Sequence, residues 1–251
     1  MNSSDPKIDP RRQSHGFTLV EMLVVIAIMS ILMTAGAIGL SGMGGKGVTS
    51  GVASAESLFD EARSMAMGKN LRTCVLVAKD LKNNSADNLK RIVVAYENID
   101  ATTGLPKDPN NSDPEWVLSS RGAVLPDQTF FSQKFSKRDH ANGGGTIPEV
   151  ATGKIKSAPS ASSTGAAAAV KAAYDGTYYI YRFNSQGIAE NVGASFIIGS
   201  GARPVNKPTA APQVTSSAKR DFGGFVVWRN GMTSVFRNPG QAKIPSDVKE
   251  F

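Results

Sequence analysis

Residues 17–40 form an apolar run of 24 residues that carries one charged side chain, Glu21. As a helix the run is about 36 Å long. A bilayer core of about 30 Å takes around 20 apolar residues. An ionised acid at mid-bilayer costs roughly 2.5–3.5 kcal/mol, so a carboxylate there marks a functional position. The hydroxyls of Thr18, Ser30 and Thr34 can bond back to carbonyls of their own helix. An ionised carboxylate only accepts hydrogen bonds and has no such outlet. Lys7, Arg11 and Arg12 precede the run, and Gly16 stands directly before Phe17. The pattern is a basic stub, a glycine at the apolar boundary, and an acid inside the run.

This pattern resembles the type IV prepilin signal shared by type IV pilins and the pseudopilins of type II secretion. Gly16, Phe17, Thr18, Leu19, Val20 and Glu21 carry the resemblance, continued by Met22-Leu23-Val24-Val25-Ile26-Ala27-Ile28. It implies that a membrane prepilin peptidase cuts between Gly16 and Phe17 and that Phe17 becomes an N-methylated amino terminus. It also implies that Glu21 meets the free amine of a neighbouring subunit's first residue during assembly. A charge pair formed only on assembly would set filament register, because removing one partner leaves a buried charge.

Two other readings fit part of the run. One is a secretory signal peptide with Ala35-Gly36-Ala37 as its small-residue cleavage site. The other is a signal anchor holding an unrelated domain. Neither gives a role to the Gly16-Phe17 junction or to Glu21.

The chain has 251 residues, enough for one sizeable domain beyond the anchor. Its formal net charge is +7, and removing residues 1–16, with three basic and two acidic side chains, leaves +6. The basic residues are scattered, as at Lys90-Arg91, Lys137-Arg138 and Lys219-Arg220. That surplus leaves nucleic acid or anionic lipid open as a partner. Cys74 is the only cysteine, so no intramolecular disulfide can form. Many type IV pilins close a C-terminal loop with one, so its absence favours the pseudopilin side of the resemblance. Cys74 lies in the strand-like run Arg72-Thr73-Cys74-Val75-Leu76-Val77 and reads as a small buried hydrophobe.

Four regions are expected: a leader at 1–16, a transmembrane helix at 17–40, a glycine-rich joint at 41–51, and a periplasmic head at 52–251. The joint contains Gly42-Met43-Gly44-Gly45-Lys46-Gly47, a formal match to the dinucleotide fingerprint. It follows a membrane helix rather than a strand, so that reading is rejected. Glycine costs nearly 1 kcal/mol per residue in a helix, and the joint is expected to be flexible or unwound.

Helical periodicity resumes at Val52. Val52, Ala55, Phe59, Ala62 and Ala66 form one apolar face, widened by Leu58 and Met65. Gly68 and Asn70 supply the stop. Strand signals follow at 73–78, 91–96, 116–118, 129–131, 178–183, 196–198, 225–229 and 233–237. Asn230-Gly231 between the last two is a tight-hairpin signal. The expected fold class is α+β: a long N-terminal helix with an amphipathic continuation packed on an antiparallel sheet. Residues 139–175 and 200–222, rich in Gly, Ala, Ser and Pro, read as insertions of low order, with a short helix expected at 166–173. The order of elements in the head is similar to the minor pseudopilin H of type II secretion and related minor pilins.

No site for catalysis emerges. There is no zinc-spaced Cys/His cluster and no Gly-x-Ser-x-Gly elbow. Asp108, Asp113 and Glu115 lie in a Pro/Asn-rich loop whose carboxylates can bind a cation weakly, though a solvated turn is the first expectation. His140 reads as a solvent-exposed loop residue. No catalytic, cofactor or metal residues are expected. The functional expectation is an inner-membrane structural subunit of a type II secretion pseudopilus or pilus-like filament. Its partners would be the prepilin peptidase, other pilin or pseudopilin subunits, the inner-membrane assembly platform and membrane lipid. The alternatives are a DNA-binding minor pilin of uptake and a membrane-anchored periplasmic enzyme.

Overall fold

The apolar face at Val52, Ala55, Phe59, Ala62 and Ala66 is buried along one side of a helix, as its spacing predicts. The computed structural model describes residues 19–41, 43–100, 102–108, 110–111, 113–158, 167–204, 207, 209–215 and 221–251, excepting the side chains of 31–46. Helices α1 (Leu19–Ser41) and α2 (Met43–Lys69) come first. Twelve strands follow among the described residues: β1 (Thr73–Leu81), β2 (Arg91–Glu97), β3 (Trp116–Leu118), β4 (Ala123–Val124), β5 (Thr129–Phe131), β6 (Glu149–Val150), β7 (Ile155–Ser157), β8 (Ala168–Ala169), β9 (Gly176–Phe183), β10 (Ala194–Ser200), β11 (Phe222–Val227) and β12 (Thr233–Val235). The chain divides into two units, Met1–Met43 and Gly44–Phe251.

The second unit is α+β, with two sheets rather than one. The first runs β6-β9-β1-β2-β3-β7-β8, with β4 added on β2; the second runs β12-β11-β10-β5. All pairings are antiparallel except β3 with β7, where Trp116 faces Ile155 in parallel register. Helix α2 packs on the inner faces of both sheets. Its Phe59 meets Tyr181, Phe183, Phe196 and Phe225 edge-on, with ring centroids 5.0–6.2 Å apart. Edge-to-face pairs add about 0.5–1.5 kcal/mol each beyond burial, so Phe59 ties three strands, β9, β10 and β11, to one helix position. The helix stops where expected. Asn70 takes φ 52°, and the Leu71 N–H reaches back to the Ala66 carbonyl at 3.3 Å, the closure of a left-handed C-cap.

Three expectations need correction. Residues 43–51 are helical, not unwound. Gly51 serves proximity rather than flexibility. A Cβ on Gly51 would sit 2.7 Å from Ile198 Cδ1, closer than real contacts allow, and a tight 3.2 Å from Leu125 Cδ2. Second, the stretch 139–175 is not simply disordered filler. It supplies β6, β7 and β8, and its Val150, Ile155, Val170 and Tyr174 cover the outer face of the first sheet over Cys74, Leu76, Trp116 and Ile180. Strand β1 is therefore buried on both faces. The short helix expected at 166–173 is instead the strand Ala168–Ala169 and a single 3₁₀ turn, Ala172–Tyr174. Residue 166 lies outside the described residues, as do 159–165, 205–206, 208 and 216–220. Third, the β11–β12 connection is a hairpin but a wider one than a two-residue turn. Only Gly231 has positive φ, at 75°, while the mirror-image turn needs it at Asn230 too.

Cys74 is fully buried, as the sequence suggests, and burial pushes its thiol pKa well up. The native protein is expected to leave Ellman's reagent unreacted and to release one equivalent of colour once unfolded in urea. Rapid reaction of the folded protein would contradict this packing.

Candidate assembly segment and the charged loop of the head

Helix α1 shows what an apolar run does when nothing in its own unit covers it. From Leu19 to Ser30 every side chain is exposed, from 82% at Leu19 to 45% at Val25 among the large hydrophobics. Apolar residues occupy all sides of the helix rather than one stripe. A helix of that kind needs lipid or other helices around it. Glu21 lies exposed in the first turn, where an acid is favoured by the positive end of the helix dipole. Ser30 Oγ donates to the Ile26 carbonyl at 2.7 Å, the local bond expected for a hydroxyl in this setting. Gly16 and Phe17 lie outside the described residues.

Among the described residues, no helix is long and apolar enough to cross a membrane. The stretch of α1 with described side chains, residues 19–30, spans about 18 Å. That is little more than half a bilayer core. The prokaryotic N-terminal methylation motif matches residues 11–37.

The motif is present.

It contains Gly16, Phe17 and Glu21, and it is typical of type IV pilin-like proteins. No curated protein and no solved structure matches the chain.

The other charged site is one that the sequence reading passed over. Arg72 immediately precedes β1, and Glu97 ends β2. Pairing of Thr73 with Tyr96 places the two opposite each other. Arg72 Nε donates to Glu97 Oε2 at 2.8 Å and Nη2 to Oε1 at 2.5 Å. Its remaining donors reach the Asn111 carbonyl at 2.9 Å and the Asp108 carbonyl at 3.4 Å. Hydrogen bonding to Glu97 raises the Arg72 pKa above its ordinary value against the opposing effect of burial. Glu97 is 1% exposed. The guanidinium thus gathers a carboxylate and two loop carbonyls, the kind of oxygen set a hard cation collects.

Two of the three loop carboxylates, expected first as a solvated turn and only second as a weak cation site, are engaged by side-chain cations. Lys156 and Lys107 lie 3.3 and 3.7 Å from the Glu115 carboxylate. Burial opposes ionisation of Glu115, but Asn98 and Lys156 outweigh it and hold the carboxyl below its usual range. Arg182 and Lys154 approach Asp113 at 3.5 and 3.6 Å. Among the described residues, no group of three or more His, Cys, Asp or Glu is placed to hold a metal. His140 is half-buried rather than solvent-exposed. Its Nε2 lies 3.0 Å from the Gln241 carbonyl and its ring 4.8 Å from Phe236. The register of β1 on β2 was the signal that could have revealed the Arg72–Glu97 pair.

The basic residues of the C-terminal hairpin do not converge. Arg229 and Arg237 are both exposed, Arg229 in the turn before β12 and Arg237 past its end, with the three-residue strand, about 10 Å long, between them. Duplex DNA is therefore expected to bind no more tightly than the nonspecific range of roughly 10⁻⁴–10⁻⁶ M. A gel-shift titration of the detergent-solubilised protein at two salt concentrations measures this. Submicromolar binding abolished by Arg229→Ala with Arg237→Ala would refute it.

Proposed function

We propose that the chain is a structural subunit of a type IV pilin-like filament, of the kind that builds the pseudopilus of type II secretion. Residues 1–16 are the leader, removed by a prepilin peptidase between Gly16 and Phe17. Phe17 is then N-methylated. A single helix over 17–40 holds the subunit in the bacterial inner membrane, with the head in the periplasm. Assembly draws that helix out of lipid into contact with the helices of other subunits at an inner-membrane platform. Glu21 sets the register by pairing with a neighbour's terminal amine. The work done is assembly rather than turnover.

One observation carries this reading: a methylation motif at residues 11–37 opens onto a helix exposed and apolar on every described side. A peptidase working at the membrane surface needs close access to the backbone, and a glycine provides it where any side chain would intrude. Gly16→Val is therefore expected to retain the leader, read by N-terminal sequencing of membrane-extracted protein. Wild-type protein that begins near Ile38 would overturn the proposal in favour of a secretory signal.

A further inference from the structure

Strand β12 is one edge of the second sheet, and among the described residues no strand pairs with its outer side. Phe236 N–H donates to the Gly224 carbonyl and Trp228 N–H to the Met232 carbonyl, both at 2.8 Å. By alternation in an antiparallel ladder, Ser234 also faces β11, whereas Thr233 and Val235 form the non-hydrogen-bonded pairs. The backbone N–H and C=O groups of those two residues therefore point away from the sheet. Between Thr233 and Val235 there is no lysine, proline or bulge of the kind that blunts edges.

A groove runs beside this edge. Its volume is about 400 Å³, within the range of ligand sites. One wall is the flank of α2 at Thr49, Ala53 and Glu56; the other includes Val235 and Arg237, over a floor at Gly223 and Gly224. Val235 is 47% exposed. The α2 flank is small at Ala53, which leaves room for a chain between helix and edge. Glu56 accepts from Thr233 Oγ1 at 2.6 Å, and Asp221 also lines the groove. Two carboxylates against the one guanidinium of Arg237 make the described lining net negative in a chain that is net positive.

The geometry points to strand addition: an extended segment of a partner protein, alternating apolar and basic side chains, pairs with Thr233 and Val235 and turns its basic side chains toward Glu56 and Asp221 in the groove. Backbone bonds at the edge supply affinity and the alternate side chains supply specificity. The open edge offers only two residues before the chain turns away at Asn238-Pro239. That is too little for the roughly 1,000 Å² that a stable pairing of two heads requires, so the occupant is a short linear segment rather than a second head. This inference does not depend on how the leader is processed.

The test uses the detergent-solubilised full chain and a fluorescein-labelled octapeptide of alternating valine and lysine, followed by anisotropy. Saturable binding is expected. The same peptide N-methylated at alternate residues, which keeps the side chains but removes ladder donors, should bind about tenfold more weakly or worse. A valine–glutamate octapeptide should bind several-fold more weakly. Val235→Pro deletes an outward N–H without touching the β11 ladder and should match the loss seen with the methylated peptide. Ala53→Arg, at an exposed helix position, should block the groove with an unchanged circular dichroism spectrum. Absence of saturable binding, equal binding of the lysine and glutamate peptides, or indifference to backbone methylation would overturn the proposal. So would a head-to-head dimer in sedimentation that Val235→Pro dissociates, since that assigns the edge to a second copy.

Discussion

Arg72→Ala is expected to destabilise the head by about 3 kcal/mol, the lower end of the cost of breaking a buried ion pair. The lower end applies because the Arg72 side chain is 22% exposed while that of Glu97 is 2% exposed. Deleting the guanidinium strands a carboxylate between β2 and the loop that follows it, and it also releases the Asn111 and Asp108 carbonyls. For a head of this size, the change corresponds to a fall of roughly 6–12 °C in Tm. Arg72→Lys should recover only part of the loss, because an ammonium cannot reproduce the two-pronged contact. Arg72→Met combined with Glu97→Leu should recover most of it, since no buried charge is then left unpaired. Thermal and urea unfolding of the three variants measures this. If Arg72→Ala unfolded within a degree of the wild type, the pair would be no more than a surface contact.

That pair also shows how far the sequence could be read. The α2 stripe was legible because its five apolar positions recur at helical spacing over nearly four turns, and all five are buried. Strands β1, β3 and β5 were legible because β-branched and aromatic residues cluster there between polar breaks. The strands contributed by 139–175 were not. Each is two or three residues long, and Val150, Ile155, Val170 and Tyr174 stand apart in a background of glycine, alanine and lysine. Only the tertiary fold brings them together over the outer face of β1. Gly51 was misread for a different reason. Glycine serves both conformational freedom and small size, and composition cannot separate the two. A Cβ at Gly51 collides with Ile198, a residue nearly 150 positions away. The charged loop had a partial signal. Once β1 and β2 are taken as an antiparallel pair, Arg72 and Glu97 become neighbours, but that step needs the register, not the strands alone.

Glu21→Val is expected to leave membrane insertion and Gly16-Phe17 cleavage intact while assembly into filaments falls by at least about tenfold. The two halves of this expectation come from opposite effects of one charge. Insertion becomes easier without an acid, by less than the roughly 2.5–3.5 kcal/mol that a charge costs at the helix centre, because Glu21 lies in the first turn. Assembly loses the group proposed to meet the amine of an incoming Phe17, and an amine buried among helices without its counter-charge costs several kcal/mol. The surroundings of Glu21 add to the case: Leu19, Val20, Met22, Leu23 and Val24 are all exposed and apolar, so neighbouring helices could pack here in many registers with similar contact area. Dispersion alone would not select one, and a single ion pair can. Glu21→Gln separates charge from hydrogen bonding: a register role by charge predicts that the amide behaves like the valine. Quantifying processed subunit in the membrane beside subunit in sheared filaments decides the matter. Normal assembly of the valine variant would remove the register role from Glu21, and failure of that variant to insert would show that the carboxylate acts before assembly begins.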